Sequence, residues 1–143
     1  TISDPFCVDR HRADFLSLIE NDLDFVLGNA LEIKSLFETD DLEHALQQTA
    51  ALCPLVVCTK SGEGVTIVSG GERHDIPVET VVPVDASGAG DQFAAGFLFG
   101  LSQGRDLETC GRMGCVAAGE VIGHLGPRPE ADVKALFTAA GLM

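Results

Sequence analysis

Basic residues are scarce in this chain: 9 Lys and Arg stand against 22 Asp and Glu, a formal charge of −13. That argues against a general binder of nucleic-acid backbones, which carries a basic face. It does not exclude a nucleotide, because local backbone amides hold phosphate whatever the net charge. Long apolar runs are missing too. The longest, around residues 93–101, is about half of the roughly 20 residues that a membrane span needs. There is no low-complexity tract, charge block or internal repeat, and with 45% hydrophobic residues the composition is that of an ordered chain. Close cysteine pairs are also lacking. Cys7, Cys53, Cys58, Cys110 and Cys115 include two C-x4-C spacings without the tighter pairs and nearby histidines of a zinc site. They read as buried free thiols in a reducing, cytoplasmic setting. What remains is one domain's worth of chain, 143 residues able to bury a core.

Periodicity supplies the elements. Residues 1–4 read as the end of a strand. Helical patterns cover 12–21, 30–37 and 41–52, the last with Asp40 as a plausible cap. A short buried strand is expected at 24–27, closed by Gly28-Asn29. Residues 55–59 (LVVCT), 65–69 and 74–78 are strand-like, with a Gly70-Gly71 hairpin between the last two. Residues 81–84 lead into a glycine turn, and helices follow at 88–103, 106–122 and 130–139. Strands alternating with helices predict an α/β fold: a mostly parallel sheet flanked by helices, with a short antiparallel hairpin excursion. Ligands of such sheets gather where strands hand over to helices.

One hand-over is DASGAGDQFAAG, residues 85–96. Its glycines permit a tight backbone path that turns successive N–H groups outward at a helix N-terminus, where they favour an anion. Such a cradle stabilises a phosphoryl group in transfer. Asp91 at the same point could accept the proton of an attacking hydroxyl. An equally simple reading has Asp85 or Ser87 capping the helix and Asp91 favouring its dipole. The spacing matches neither G-x-G-x-x-G nor the P-loop.

Asp85-Ala86-Ser87-Gly88-Ala89-Gly90-Asp91, followed by Phe93-Ala94-Ala95-Gly96-Phe97, resembles the C-terminal signature of the ribokinase (pfkB) family of sugar and nucleoside kinases, usually D-T-x-G-A-G-D. Ala86 stands where the family usually has threonine. The resemblance implies a ribokinase-like fold, an anion hole at Gly88, Ala89 and Gly90, and Asp91 as catalytic base. Asn29-Ala30-Leu31-Glu32 fits the family's N-x-x-E element, which implies that Asn29 and Glu32 organise Mg²⁺ largely through water. An Asn cap with Glu at the third helical position explains the same residues. Thr59, Ser61, Gly62 and Gly64 resemble the family's T-x-G-x-x-G turn at the ATP, with Ser61 in place of the first glycine. Gly114, Ala117 and Ala118 align with a small-residue helix lining the adenine slot, although close helix packing asks for the same residues. With Asp85, these are the implied ATP-binding positions. Ser3–Phe6 (SDPF) and the Gly-Asn-x-x-Glu context resemble the adenosine kinase branch.

The resemblance implies ATP-dependent phosphotransfer to a primary hydroxyl of a nucleoside, adenosine foremost, or of a sugar of the ribose or fructose type. A non-catalytic nucleotide-binding module is the rival from another class. ATP, Mg²⁺ and a monovalent cation (K⁺) are the implied cofactors. Residues 1–143 would form the C-terminal catalytic portion, with the N-terminal half and lid of the same protein as its partner and a homodimer as a further expectation. Neither nucleic acid nor membrane is expected. His11, His44, His74 and His124 form no ligand spacing, and Gly96-x-x-x-Gly100 reads as tight helix packing.

Overall fold

The computed structural model describes residues 1–79 and 81–143. Two compact units result: Thr1–Ser61 with Val65–Asp75, and Gly62–Gly64 with Ile76–Met143.

In the first unit, α1 (Pro5–Asn21) starts well before the expected residue 12. Asp4 caps it by accepting the Cys7 N–H at 2.9 Å, and Pro5 takes the first helical position, where a missing N–H costs nothing. The helical path breaks at His11 (φ −127°, ψ 27°), so the regular periodicity begins only beyond it. β1 (Val26–Asn29) runs through the Gly28-Asn29 pair expected to close it. Parallel pairing holds it there, since Gly28 stands opposite Cys58 and Asn29 opposite Thr59. α2 (Ala30–Leu36) follows directly, then α3 (Leu42–Leu52). The cap of α3 is Asp41, not Asp40: its carboxylate accepts the His44 N–H at 3.1 Å. β2 (Leu55–Thr59) and β3 (Val65–Ser69) match expectation, while β4 (Glu72–Ile76) begins two residues early. Gly70 (φ 57°) and Gly71 (φ 87°) both take the positive φ of a type I′ turn, so pairing resumes at once. Residues 1–4 form no strand, although the Ile2 N–H donates to the Leu27 carbonyl at 2.9 Å.

Strand order is β1-β2-β3-β4. β1 and β2 are parallel, and β2 and β3 antiparallel. Among the described residues β1–β2 is the parallel pair, and β2–β3 begins the antiparallel hairpin excursion that was expected. The short 60–64 connection and the Gly70-Gly71 turn are too brief for the crossover that parallel neighbours require. Val56 and Cys58 on one face of β2 join Val8, Ile19, Ile33 and Leu36 in a buried core, with α1, α2 and α3 supplying the helical side. Val57 and Ile67, opposite each other on the other face, are also buried. At the β4 edge, Arg73 bonds Asp75 at 2.7 Å and Glu43 at 2.6 Å, and Thr66 Oγ1 donates to Asp75 at 2.6 Å. The Arg73 guanidinium, then the Thr66 hydroxyl, hold the Asp75 carboxyl below the usual carboxylate range. These charges occupy an edge that would otherwise invite strand pairing.

Between β2 and β3 the chain makes a short 3-10 turn over Ser61–Glu63. Ser61 adopts φ 52° and Gly64 φ 92°. A Cβ on Gly64 would fall onto the Ile76 carbonyl. Gly64 is therefore required, whereas Ser61 bears a left-handed conformation that its Cβ opposes.

In the second unit, α4 (Ala89–Ser102), α5 (Leu107–Ile122) and α6 (Val133–Ala139) pack in sequence. α4 meets α5 through glycines. A Cβ on Gly96 would lie 2.6 Å from the Met113 carbonyl oxygen and 3.0 Å from Gly114 Cα, and one on Gly114 would lie 2.6 Å from the Phe93 ring. The Gly96/Gly100 pair is thus a helix-packing face. α6 closes on the same pair, with Phe137 stacked on Phe99 at 5.9 Å. Residues 81–84 form no strand, and α6 starts at Val133 because Asp132 caps it. Among the described residues no helix is long and apolar enough to cross a membrane.

Three substitutions test this account. Gly96→Ala sets a methyl against backbone that cannot give, and should destabilise by about 1–3 kcal/mol. Gly119→Ala, whose Cβ meets nothing closer than 3.9 Å, should stabilise α5 by up to about 1 kcal/mol. Urea midpoints of the two variants should move in opposite directions. Ser61→Gly removes the left-handed penalty at the cost of chain entropy, a net gain of up to about 1 kcal/mol. A lower urea midpoint for that variant would show that the serine is not strained.

Candidate functional site

Asp or Asn caps five of the six helices: Asp4, Asn29, Asp41, Asp106 and Asp132 each accept a backbone N–H. α4 is different. Its N-cap is Gly88 in the left-handed region (φ 77°, ψ 0°), with no side-chain cap. The expected alternative, a cap from Asp85 or Ser87, does not form. These angles are those of the third position in a type II turn, closed here by the Ala89 N–H donating to the Ala86 carbonyl at 3.2 Å. The turn corrects one detail of the expected anion hole, because the Ala89 amide is engaged. The open amides inside the first turn of α4 are those of Gly90 and Asp91; like the Gly88 N–H before them, they donate to no protein group among the described residues. A Cβ on Gly90 would meet nothing within 4 Å, so the approach to these amides is clear.

Asp91 sits in the first turn of α4 and is exposed. Its carboxylate takes part in no hydrogen bond or ion pair with the described residues, unlike the acids that cap the other helices. A free carboxylate beside two free amides at a helix N-terminus can hold an anion and accept a proton at one place.

Asp85 is committed elsewhere. One carboxylate oxygen accepts the Ser87 N–H and the other the Gly126 N–H, both at 2.9 Å. The Gly126 amide, then Ser87, hold its pKa down to about 2. It is a clamp between two loops, with neither oxygen free of the protein. No sequence motif pointed to what the clamp holds. Pro127 abuts Gly88, where an added Cβ would come within 2.6 Å of the proline Cβ. Gln92 Nε2 donates to the Pro127 carbonyl at 3.3 Å. Gly88 is thus required twice over, by φ and by space.

The other candidates divide. Asn29 and Glu32 form a complete capping box. Asn29 Oδ1 accepts the Glu32 N–H at 2.9 Å, while the two Glu32 oxygens accept the Asn29 N–H at 2.8 Å and its side-chain amide at 3.0 Å. Glu32 is only 7% exposed, and burial pushes its pKa up against the pull of the Asn29 amide. No group of three His, Cys, Asp or Glu suited to a metal occurs among the described residues. Thr59 is half-buried at the end of β2; Ser61 and Gly62 are exposed, and Gly64 is buried. Gly114 and Ala117 are taken up by packing, the first against Phe93 and the second among Met113, Phe137 and Leu142. Ala118 remains half-exposed, beside Gly119 with its open space. Two open grooves of about 470 and 620 Å³ in the first unit are lined by none of the candidate residues.

Known proteins resemble this chain in sequence and fold. A probable sugar kinase from Rhizobium etli is 46% identical and superposes with a TM-score of 0.97 over 99% of this chain and 44% of its own. The adenosine kinase of Sinorhizobium meliloti is 43% identical, with a TM-score of 0.94 over 97% of this chain and 43% of its own. A cytidine kinase from Thermococcus kodakarensis is 35% identical over 114 residues, 78% of this chain and 41% of the relative. The chain thus spans less than half the length of each of these proteins. The family model for pfkB carbohydrate kinases matches residues 1–133. With a ribokinase-like α/β fold and that match over nearly its whole length, the chain belongs to the pfkB carbohydrate kinase family.

Proposed function

We propose that this chain is the catalytic portion of an ATP-dependent kinase that phosphorylates the primary hydroxyl of a nucleoside, with adenosine the first candidate. The observation that carries this reading is the uncapped start of α4, where the Gly90 and Asp91 amides and the Asp91 carboxylate are all left free. ATP with Mg²⁺, when bound, supplies the phosphoryl group and neutralises part of its charge. The chain's own residues do the rest. The Gly90 and Asp91 amides hold the negative charge that grows on the phosphoryl oxygens, with Gly88 and Ala89 setting their direction. Asp91 takes the proton of the acceptor hydroxyl as that oxygen becomes the nucleophile.

Any contact of the residues proposed for Mg²⁺ with the ion would run through water. Asn29 and Glu32 satisfy one another in the capping box, which leaves them able to order water around a cation rather than to strip it. Thr59, Ser61, Gly62, Gly64 and Ala118 remain the proposed ATP contacts, and K⁺ a proposed companion ion. We assign the acceptor-binding residues and lid to an N-terminal half of the same protein, because the chain spans less than half of its relatives. Homodimerisation and a cytoplasmic location belong to the same proposal.

Asp91→Asn separates reagent from ornament. The amide keeps size and backbone, so stability should change by no more than about 1 kcal/mol. Loss of a general base should lower kcat by roughly 10²–10⁴ with little change in ATP affinity. Near-parental kcat in the folded full-length variant would refute the role. The acceptor is decided by ADP release across a panel of nucleosides and sugars, where adenosine should exceed ribose and fructose. A clear preference for a free sugar would favour the sugar kinase reading, which the likeness to the R. etli protein supports.

A further inference from the structure

The loop of residues 123–131 reaches the start of α4 at one end and is tied to α5 at the other. Gly126 donates to Asp85, and Pro127 lies on Gly88. At the far end, Glu120 Oε1 accepts the N–H groups of Glu130 and Ala131 at 2.9 and 2.8 Å. His124 Nε2 stands 3.3 Å from the same oxygen, an ion-pair distance outside hydrogen-bond geometry. The second Glu120 oxygen is buried and, among the described residues, has no partner. A carboxylate desolvated in this way needs a nearby positive charge. Among the described residues His124 is the one cationic group paired with it, and only when protonated.

We propose that Glu120 and His124 are positioning residues for the α4 cradle, the protonated imidazole securing the staple that keeps the 123–131 loop, and through Pro127 the Gly88 turn, in its open-amide form. This rests on the kinase reading for its consequence but not for its test. The groups facing His124 are Glu120 on α5, Glu130 at 3.8 Å and, at longer range, Asp85; its Nδ1 lies 3.3 Å from the Leu125 carbonyl. The Leu125 carbonyl first, then Glu120 and Glu130, raise its pKa above the ordinary imidazole value. Burial alone would raise the Glu120 pKa, but the Ala131 and Glu130 amides and the His124 ring hold it below the ordinary carboxylate value. The signs follow. A raised His124 pKa makes its contribution complete below the ordinary imidazole pKa and removes it as pH rises through the folded value. The lowered Glu120 pKa makes that contribution complete above the ordinary carboxylate pKa and removes it as pH falls through the folded value. The staple is strongest between the two, on the acid side of neutrality.

The test follows the Gly90 and Asp91 amide resonances of the full-length protein by NMR while His124 is titrated. The expected result is that both resonances move with the His124 pKa, and that His124→Gln abolishes the movement. Glu120→Gln keeps an acceptor for the two loop amides, so the fold should persist while the pH response of Gly90 and Asp91 disappears. Amides that ignore the His124 titration, or that respond equally in His124→Gln, would overturn the proposal. Activity provides a separate arm: Glu120→Ala should lower kcat/KM for ATP by up to about 100-fold, the scale of a misplaced binding group. Restoration of most of that loss by Gln, to the same degree across pH, supports positioning, and equal loss in Ala and Gln counts against it. A parent protein without phosphotransfer would sink the kinase reading, while the amide titration would still decide this one.

Discussion

The contact between Gly88 and Pro127 is the constraint on which the site depends. A helix start is ordinarily closed by a side-chain oxygen, as the other five helices show. At α4 the left-handed Gly88 turns the chain in too tightly for Ser87 or Asp85 to reach the first amides. Pro127 occupies the space that any larger residue would need. Two free N–H groups at a helix end cost stability when nothing accepts them. On the proposed reading they are kept free for an anion, and the burden falls on the loop that supplies Pro127.

Much of the fold was legible because its signals are local. β2 and β3 are short apolar runs rich in β-branched residues, and both fell on the expected residues. α4 and α5 came within a residue at their ends because Gly88, Asp106 and the apolar stripe lie within one helix length. The misses share one property. α1 hid its first turns behind the break at His11, and β1 extended through Gly28-Asn29 because a partner thirty residues away held it.

The site divides in the same way. The open amides and the free carboxylate follow from Gly-Ala-Gly-Asp itself. The clamp of Asp85 on Gly126 spans forty-one residues, and no spacing rule reveals it. Residues whose pattern carries two explanations were separated only by their neighbours. Gly114 and Ala117 went to packing and Ala118 did not, although the three are almost contiguous. One helix face meets α4 and α6 while the next turns outward. Asn29 and Glu32 kept both meanings: the capping box accounts for their hydrogen bonds, but a box on a helix end does not require a carboxylate that is 7% exposed.

Preorganisation of the cradle traces back to α5. Its glycine and methionine backbone holds α4 along the Gly96–Gly100 face, which fixes the axis of the helix whose amides are open. The last carbonyls of α5 hold the other approach. Ile122 accepts the Val84 N–H at 2.7 Å and the Asp85 N–H at 3.4 Å, so the segment entering the Gly88 turn hangs from the same helix. Four residues on, the loop leaving α5 returns to Asp85 through Gly126 and to Gly88 through Pro127. Both walls of the turn are therefore carried by the end of one helix, and its body carries the floor. Displacing any one of these elements requires α5 to move with it, which is how a glycine-rich turn can keep a fixed shape.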